Sequence, residues 1–130
     1  MTKIVLFAVA YFVCAITSVY ARDDGRYAHD PLHNWFEHLQ SGKGLCCSFA
    51  DGFSIENVDW DTGGPDGTYR VHICAGPWKA PDQSCRAEWI NVPPDAVVSG
   101  PNLKGPAIVW PYQGEQGETL IRCFLPGAGV

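Results

Sequence analysis

The stretch that decides the fold is GLCCSF, at Gly44–Phe49, because it holds two adjacent cysteines. In extended chain, neighbouring side chains point to opposite faces, so Cys46 and Cys47 are expected to meet different surroundings. A structural zinc site is disfavoured because such sites use Cys-x2-Cys spacing, which does not occur here. A thioredoxin-like redox centre uses the same spacing. The pair therefore predicts a disulfide staple in which one sulfur bonds a distant cysteine and the other is left over.

The start of the chain predicts a secretory signal peptide over residues 1–21. Lys3 precedes an apolar run from Ile4 to Ile16, and Val19 and Ala21 suit a cleavage site. The run is shorter than the roughly 18 to 20 apolar residues that a membrane span needs. We therefore expect a periplasmic or secreted protein, with a single small domain over residues 22–130 and a flexible arm over 22–29. No membrane span is expected after cleavage.

The remaining cysteines predict two disulfides. Of the six cysteines, Cys14 lies in the predicted signal peptide. Cys74 and Cys85 flank a Pro- and Gly-rich excursion between two strand-like runs, so a bond between them would close the base of a long loop. Cys123 is then expected to bond Cys46 or Cys47, which would join the two ends of the domain. Exported proteins commonly form such bonds.

The order of periodic segments predicts an α+β fold. Pro31–Gln40 has helical apolar spacing after Asp30, a good N-cap, and Gly42 can end the helix. Five later runs predict strands that form one small antiparallel sheet or partial barrel, covered by this short amphipathic helix. The runs are FSIENVDW (53–60), in which a bulge near Glu56–Asn57 is a predicted alternative to a regular strand, TYRVHIC (68–74), RAEWINV (86–92), AIVWPY (107–112) and TLIRCFLP (119–126).

A metal site is one possible function of the helix. His33 and Glu37 are four residues apart, so they share a face of the predicted helix, and imidazole with carboxylate can bind zinc or copper. His29 or His38 could complete the ligand set. The spacing matches neither His-Glu-x-x-His nor His-x-x-Glu-His. An ordinary polar pair on a solvated helix face explains the same residues without a cofactor.

The five tryptophans divide into expected core residues and one expected docking residue. Trp35 and Trp89 are predicted to lie on core faces. Trp78, beside Lys79 in the loop between Cys74 and Cys85, is predicted to be exposed. An aromatic side chain on a rigid loop loses little entropy on docking, so Trp78 and Lys79 are candidate binding residues. The alternative places Trp78 beneath its own loop.

Charge and motifs narrow the class of function. Fourteen acidic residues against nine basic ones give a net charge of −5, which disfavours nucleic-acid binding. The chain has no nucleophile elbow, phosphate-binding loop or dinucleotide fingerprint. The sequence therefore predicts a non-enzymatic binding module of the cell envelope with a protein or glycan partner. A metal-binding envelope protein and a thiol-redox protein that uses the leftover cysteine are the alternatives.

Several motifs together resemble a group of small exported proteins of alphaproteobacteria, rhizobia among them. They are the His- and Trp-containing helix HDPLHNWFEHL, the pair in CCSFADG, the Trp-x-x-Val-Pro step in WINVPPDAVV, NLKGPAIVWPY, and the closing Cys-Phe-x-Pro in IRCFLPGAG. The resemblance covers most of the chain after residue 21. It implies export and a single domain, and it transfers no catalytic residue. The segment between Cys74 and Cys85 departs from the group, whose members often have a tight turn there.

Overall fold

The computed structural model describes residues 28–46, 52–74 and 86–128. These residues form mostly β-structure, with eight strands and one short α-helix. In chain order the elements are α1 (His33–Glu37), β1 (Gln40–Ser41), β2 (Gly44–Leu45), β3 (Phe53–Ile55), β4 (Trp60–Asp61), β5 (Arg70–Cys74), β6 (Ala87–Asn91), β7 (Ala107–Gln113) and β8 (Thr119–Leu125). The predicted signal peptide and residues 22–27 of the predicted arm lie outside the described residues.

The strands form three small antiparallel sheets rather than the predicted single sheet or partial barrel of five strands. Strands β1 and β2 form a hairpin, the second sheet has the order β3-β7-β8, and the third has the order β4-β5-β6. The longest pairing, between β7 and β8, has a bulge between Trp110 and Pro111. Proline has no backbone N–H to donate, which explains an irregularity at this position.

The separation of the sheets follows from a break in the run that was predicted as one strand, 53–60. Residues Asn57–Asp59 form a 3₁₀ turn, in which the amide of Asp59 donates to the carbonyl of Glu56. The turn sends Ile55 to the sheet with β7 and Trp60 to the sheet with β5. One sequence segment therefore contributes to two sheets, with Ile55 buried before the break and Trp60 buried after it.

The predicted helix Pro31–Gln40 is wrong in length, because α1 covers only His33–Glu37. The carboxylate of Asp30 accepts a hydrogen bond from the amide of Leu32 at 2.8 Å, which stabilises a turn before the helix rather than its first turn. After the helix, residues 40–45 form the β1–β2 hairpin. The Ser41 hydroxyl donates to the carbonyl of Arg122 and so attaches this hairpin to β8.

The other four predicted strands are confirmed as β5, β6, β7 and β8. In β5 burial alternates strictly, with Val71 and Ile73 buried and their neighbours partly exposed. In β7 five consecutive residues from Ala107 are buried, which is the pattern of a strand covered on both faces. Strand β8 also ends in three buried residues, so the pair β7–β8 lies at the centre of the molecule.

Two apolar clusters form the core on either side of these central strands. The first surrounds Phe124, whose ring lies 5.8 Å from that of Trp60 and 5.3 Å from that of Tyr69. The second contains Phe36, Trp110 and the sulfur atoms of Cys46 and Cys123. The side chain of Trp35 is partly buried against this second cluster, in agreement with its predicted core position.

The predicted staple between the helical end of the domain and its last strand is present. Cys46 is bonded to Cys123, with an S–S distance of 2.04 Å and a separation of 77 residues in sequence. Both cysteines are almost completely buried. Cys74 is also disulfide-bonded. Its predicted partner Cys85, and Cys47, lie outside the described residues.

Candidate functional site

The most distinctive polar surface of the described chain is the outer face of the β4-β5-β6 sheet. Val71 and Ile73 of β5 point into the core, so Arg70 and His72 point outward. Strand pairing places Asp61 of β4 opposite Arg70, and Trp89 of β6 opposite His72. We call these four outward side chains, Asp61, Arg70, His72 and Trp89, the Trp89 platform.

The indole of Trp89 is exposed yet held in place. Its ring is stacked on that of His72, with 5.0 Å between ring centroids and 28° between planes. The guanidinium carbon of Arg70 lies 4.5 Å from the indole centroid. Trp89 nevertheless keeps 43% of its side chain accessible to solvent. The predicted core position of Trp89 is therefore wrong, because the pleat of β6 turns it away from the core.

The cation beneath the indole is fixed by a two-pronged ion pair. Arg70 donates from Nε to Asp61 Oδ1 at 2.7 Å and from Nη2 to Oδ2 at 2.9 Å. The backbone N–H of Gly63 also donates to Asp61 Oδ1. The hydrogen bond from Arg70, followed by that from Gly63, lowers the pKa of Asp61, and the same ion pair raises the pKa of Arg70. Two-pronged pairing fixes the plane of the guanidinium group and therefore its position against Trp89.

The other side of the platform has a second acidic contact. The Nδ1 atom of His72 lies 3.4 Å from Oδ1 of Asp59, which comes from the 3₁₀ turn between β3 and β4. The His72 ring therefore lies between a carboxylate and an indole. Each of the two rings and the guanidinium group of the platform therefore has a defined neighbour.

An open groove of about 680 Å³ adjoins the platform at His72. It lies between β3 and the second half of β5. Ile55 and Ile73 line it although both are nearly fully buried, so they form its floor. Its remaining lining residues are Phe53, Ser54, Glu56, Asp59, His72, Cys74 and Ala87. Apolar side chains at the base and charged groups at the rim are typical of a binding surface.

We predict that Asp61→Asn lowers the free energy of unfolding at neutral pH and that this loss disappears in acid. The ionised carboxylate of Asp61 accepts both hydrogen bonds from Arg70, and its pKa is depressed in the folded protein. A depressed pKa gives stability above the unfolded-state pKa that is lost as the pH falls through the folded-state value, below about pH 4. Urea unfolding of both proteins between pH 7 and pH 2 measures the difference.

The matched control for this prediction is Asp66→Asn, which removes an exposed carboxylate in the turn before β5. Because Asp66→Asn leaves the ion pair between Asp61 and Arg70 in place, we expect its free energy of unfolding to stay close to that of the wild type. If the free energies of unfolding of Asp61→Asn and the wild type differed by the same amount at pH 7 and pH 2, the ionised form of Asp61 would not stabilise the folded protein.

The structure brings together two of the four predicted metal ligands. His33 Nε2 lies 3.2 Å from Glu37 Oε1. The ring of His38 instead contacts the backbone carbonyl of Asn34, and His29 is exposed before the helix. Within residues 28–46, 52–74 and 86–128 no group of three or more potential ligands is close enough to hold a metal ion. His33 and Glu37 thus form a polar contact on the helix and could provide two ligands to a metal ion.

The predicted docking residues Trp78 and Lys79 lie outside the described residues, and so does Cys47. Because Cys46 bonds Cys123, Cys47 is the member of the pair that the staple leaves over. The thiol-redox hypothesis therefore applies to Cys47 alone.

The platform residues were missed as a site because they lie far apart in the sequence. The signal that identifies them is the alternation in TYRVHIC, which assigns Arg70 and His72 to the outer face as soon as Val71 and Ile73 are assigned to the core. The alternation in β6 is ambiguous, because Glu88 shares a face with Ile90. Only the register between β5 and β6 places Trp89 over His72.

The chain matches no protein-family model, no curated protein and no solved structure. None of the helical segments in the described residues has the length and apolar character of a membrane span. The Cys46–Cys123 bond is typical of proteins that fold in an oxidising compartment outside the cytoplasm. Any statement about function therefore depends on the platform and groove themselves.

Proposed function

We propose that the protein is an exported, non-enzymatic binding module and that the Trp89 platform is its docking surface. The observation that carries the proposal is the state of Trp89, which is 43% exposed and yet in contact with both His72 and Arg70. A large aromatic side chain that is both exposed and fixed is the arrangement expected of a binding anchor. Export follows from the predicted signal peptide, and the disulfide supports it.

Fixing the anchor before binding matters for affinity. Immobilising a side chain on association costs roughly 0.5–1.5 kcal/mol, and a side chain that is already ordered avoids most of that cost. Asp61 orders Arg70, and Arg70 in turn lies against Trp89. A partner that covers the indole then also removes water from the cation–π contact, which strengthens it. The platform therefore favours a partner with a flat apolar group flanked by hydrogen-bonding groups.

We predict that Trp89→Ala weakens partner binding by about 30-fold, which corresponds to a binding hot spot of about 2 kcal/mol. Immobilised protein would capture partners from an envelope extract, and the dissociation constant would then be measured with the purified partner. Thermal unfolding of the variant serves as a folding control, since Trp89 is not part of either core cluster.

Two further variants make this experiment specific. Tyr112→Ala removes an aromatic residue of similar exposure, 39%, from a different sheet, and we expect unchanged affinity. Trp78→Ala tests the loop that the sequence favours as the docking element. An affinity that survives Trp89→Ala but is lost in Trp78→Ala would assign docking to the loop and overturn the proposal for the platform.

Metal binding at the helix is the second candidate, favoured by the 3.2 Å contact between His33 and Glu37. Zinc or copper would replace the hydrogen bond between these side chains, and a further ligand would have to come from His29, His38 or a partner. Metal analysis of the purified protein with and without His33→Ala tests this candidate. Stoichiometric metal that is lost in the variant supports it, and metal-free wild type removes it.

A further inference from the structure

We propose that the groove beside the platform takes an extended polypeptide segment of the partner, which adds a strand between β3 and β5. The inference rests on the proposed function and names the class of ligand. Its basis is that residues of an edge strand, β3, and of the part of β5 beyond its pairing with β4 line one groove. Strand addition of this kind joins a peptide to a sheet through backbone hydrogen bonds, and alternate side chains of the peptide supply specificity.

The edge strand is β3. This strand is the terminal strand of its sheet and has only β7 as a neighbour within the described part of the chain. Ser54 and Ile55 of this strand line the groove, and both also pair with residues of β7. An edge strand carries backbone donors and acceptors that can pair with another chain.

The second element is the later half of β5. Strand β4 pairs with β5 only at Arg70 and Val71. Beyond that point His72 and Ile73 have β6 on one side, and on the other side the 3₁₀ turn at Asn57–Asp59, which forms no strand pairing with them. The 3₁₀ turn at Asn57–Asp59 is the cause, because it ends the run that would otherwise have continued β4 along β5.

The groove lining specifies the chemistry of the peptide. Ile55 and Ile73 on the floor favour apolar side chains at the inward positions of an added strand. The outward positions would pass Glu56 and Asp59, which are both acidic. Because the whole chain carries a net charge of −5, lysine or arginine at the outward positions is the complementary choice. The preferred ligand is therefore an extended segment in which apolar and basic residues alternate.

The groove and the platform can act on the same partner. His72 lines the groove and also stacks on Trp89. A strand placed beside β5 would bring its outward side chains next to His72, and the remainder of the partner would then reach the indole. The strand supplies backbone hydrogen bonds, and the platform supplies the aromatic anchor.

The test uses an eight-residue peptide of alternating valine and lysine with blocked ends, and isothermal titration calorimetry against the full chain. A peptide of the same composition, with its valines and lysines segregated, keeps the charge but loses the alternation. A third peptide carries an N-methyl group on every second residue, which removes the backbone donors of one edge. We expect binding of the first peptide and at least tenfold weaker binding of the other two.

Charge reversal locates the peptide on the protein. Glu56→Lys replaces an attraction at the groove rim by a repulsion, and we expect the affinity for the alternating peptide to fall about tenfold. Glu115→Lys makes the same change in the turn between β7 and β8, far from the groove in the fold, and should leave the affinity within about twofold. Amide NMR signals of Ser54, Ile55, His72 and Ile73 should shift in the wild type when the peptide binds.

Three results with the peptides overturn the inference. Failure of the alternating peptide to bind excludes this ligand chemistry. Equal binding of the segregated peptide would show that only the net charge of the peptide is recognised. Equal binding of the N-methylated peptide excludes strand pairing. A partner that depends on Trp89 but is not displaced by the peptide, such as an oligosaccharide, leaves the proposed function in place and removes the peptide groove. If the alternating peptide binds but the affinity for the partner does not depend on Trp89, the peptide groove stays in place and the proposed function of the platform is overturned.

Discussion

Replacing Cys46 and Cys123 together by alanine is expected to lower the free energy of unfolding by about 4.5 kcal/mol, the value that chain entropy gives for a ring of this size. The bond joins residues that are 77 positions apart and thus restricts most of the unfolded chain. Since domains of this size have total stabilities of roughly 5–15 kcal/mol, the loss would be about a third or more of the total free energy of unfolding. Urea unfolding followed by far-ultraviolet circular dichroism measures the loss.

Alanine is the appropriate replacement because both cysteines are almost completely buried in an apolar cluster. Serine would add two buried hydroxyl groups and confuse their cost with that of the lost bond. The matched comparison is the pair Cys74→Ala and Cys85→Ala, because the predicted ring there is short and the same relation gives only about 3 kcal/mol. A loss below about 1 kcal/mol for the Cys46 and Cys123 pair would mean that the bond does not restrict the unfolded state as the relation requires.

Phe124→Ala is expected to lower the free energy of unfolding by about 3–5 kcal/mol. Phe124 is completely buried and forms the centre of the first core cluster, where its ring contacts those of Trp60 and Tyr69. Its backbone carbonyl accepts a hydrogen bond from the amide of Val98, so the surrounding chain is held in position and cannot readily fill the cavity. Equilibrium unfolding in urea at neutral pH gives the value.

Two variants distinguish cavity formation from a general effect of aromatic residues. Phe124→Leu keeps most of the apolar volume, and we expect a loss of less than about 1.5 kcal/mol. Tyr112→Ala removes a partly exposed ring from the neighbouring strand β7 and should change stability by less than about 1 kcal/mol. If Phe124→Ala and Tyr112→Ala were equally destabilising, Phe124 would not have the central packing role described above.

The sequence predicts those strands well whose residues follow one simple periodicity. Alternation in β5 and an unbroken apolar run in β7 each leave a single assignment, and both strands lie where they were predicted. A disulfide between Cys123 and one of the adjacent cysteines was also predictable, because cysteines in an oxidising compartment commonly form disulfides. The sequence could not show that Cys46 rather than Cys47 forms this disulfide, because that depends on which side chain faces β8.

The helix shows why periodicity alone overestimates an element. Leu32, Trp35, Phe36 and Leu39 fit one helical face, and the structure does pack all of them against the second core cluster. Leu39 reaches that cluster from the turn after the helix rather than from the helix itself. Helical spacing therefore identified the buried residues correctly, whereas local hydrogen bonds of Asp30 and the hairpin at residues 40–45 fixed the ends of the helix.

The groove and the platform could not be predicted because both depend on the relative position of separate segments. FSIENVDW reads as one strand, and the 3₁₀ turn within it becomes evident only when its two halves are seen in different sheets. Arg70 could have been assigned to a solvated surface from sequence, but its two-pronged contact with Asp61 requires the β4–β5 register. Sites formed across strands in this way have no local motif.

The Cys46–Cys123 bond also determines how the protein must mature. In the proposed export of the chain from its N-terminus, Cys47, Cys74 and Cys85 emerge before Cys123, while Cys46 still lacks its native partner. An oxidase that acts on cysteines in order of emergence would link Cys46 to one of them first. Reaching the native link then requires thiolate attack on that early bond, either by Cys123 itself or by the thiol of another protein.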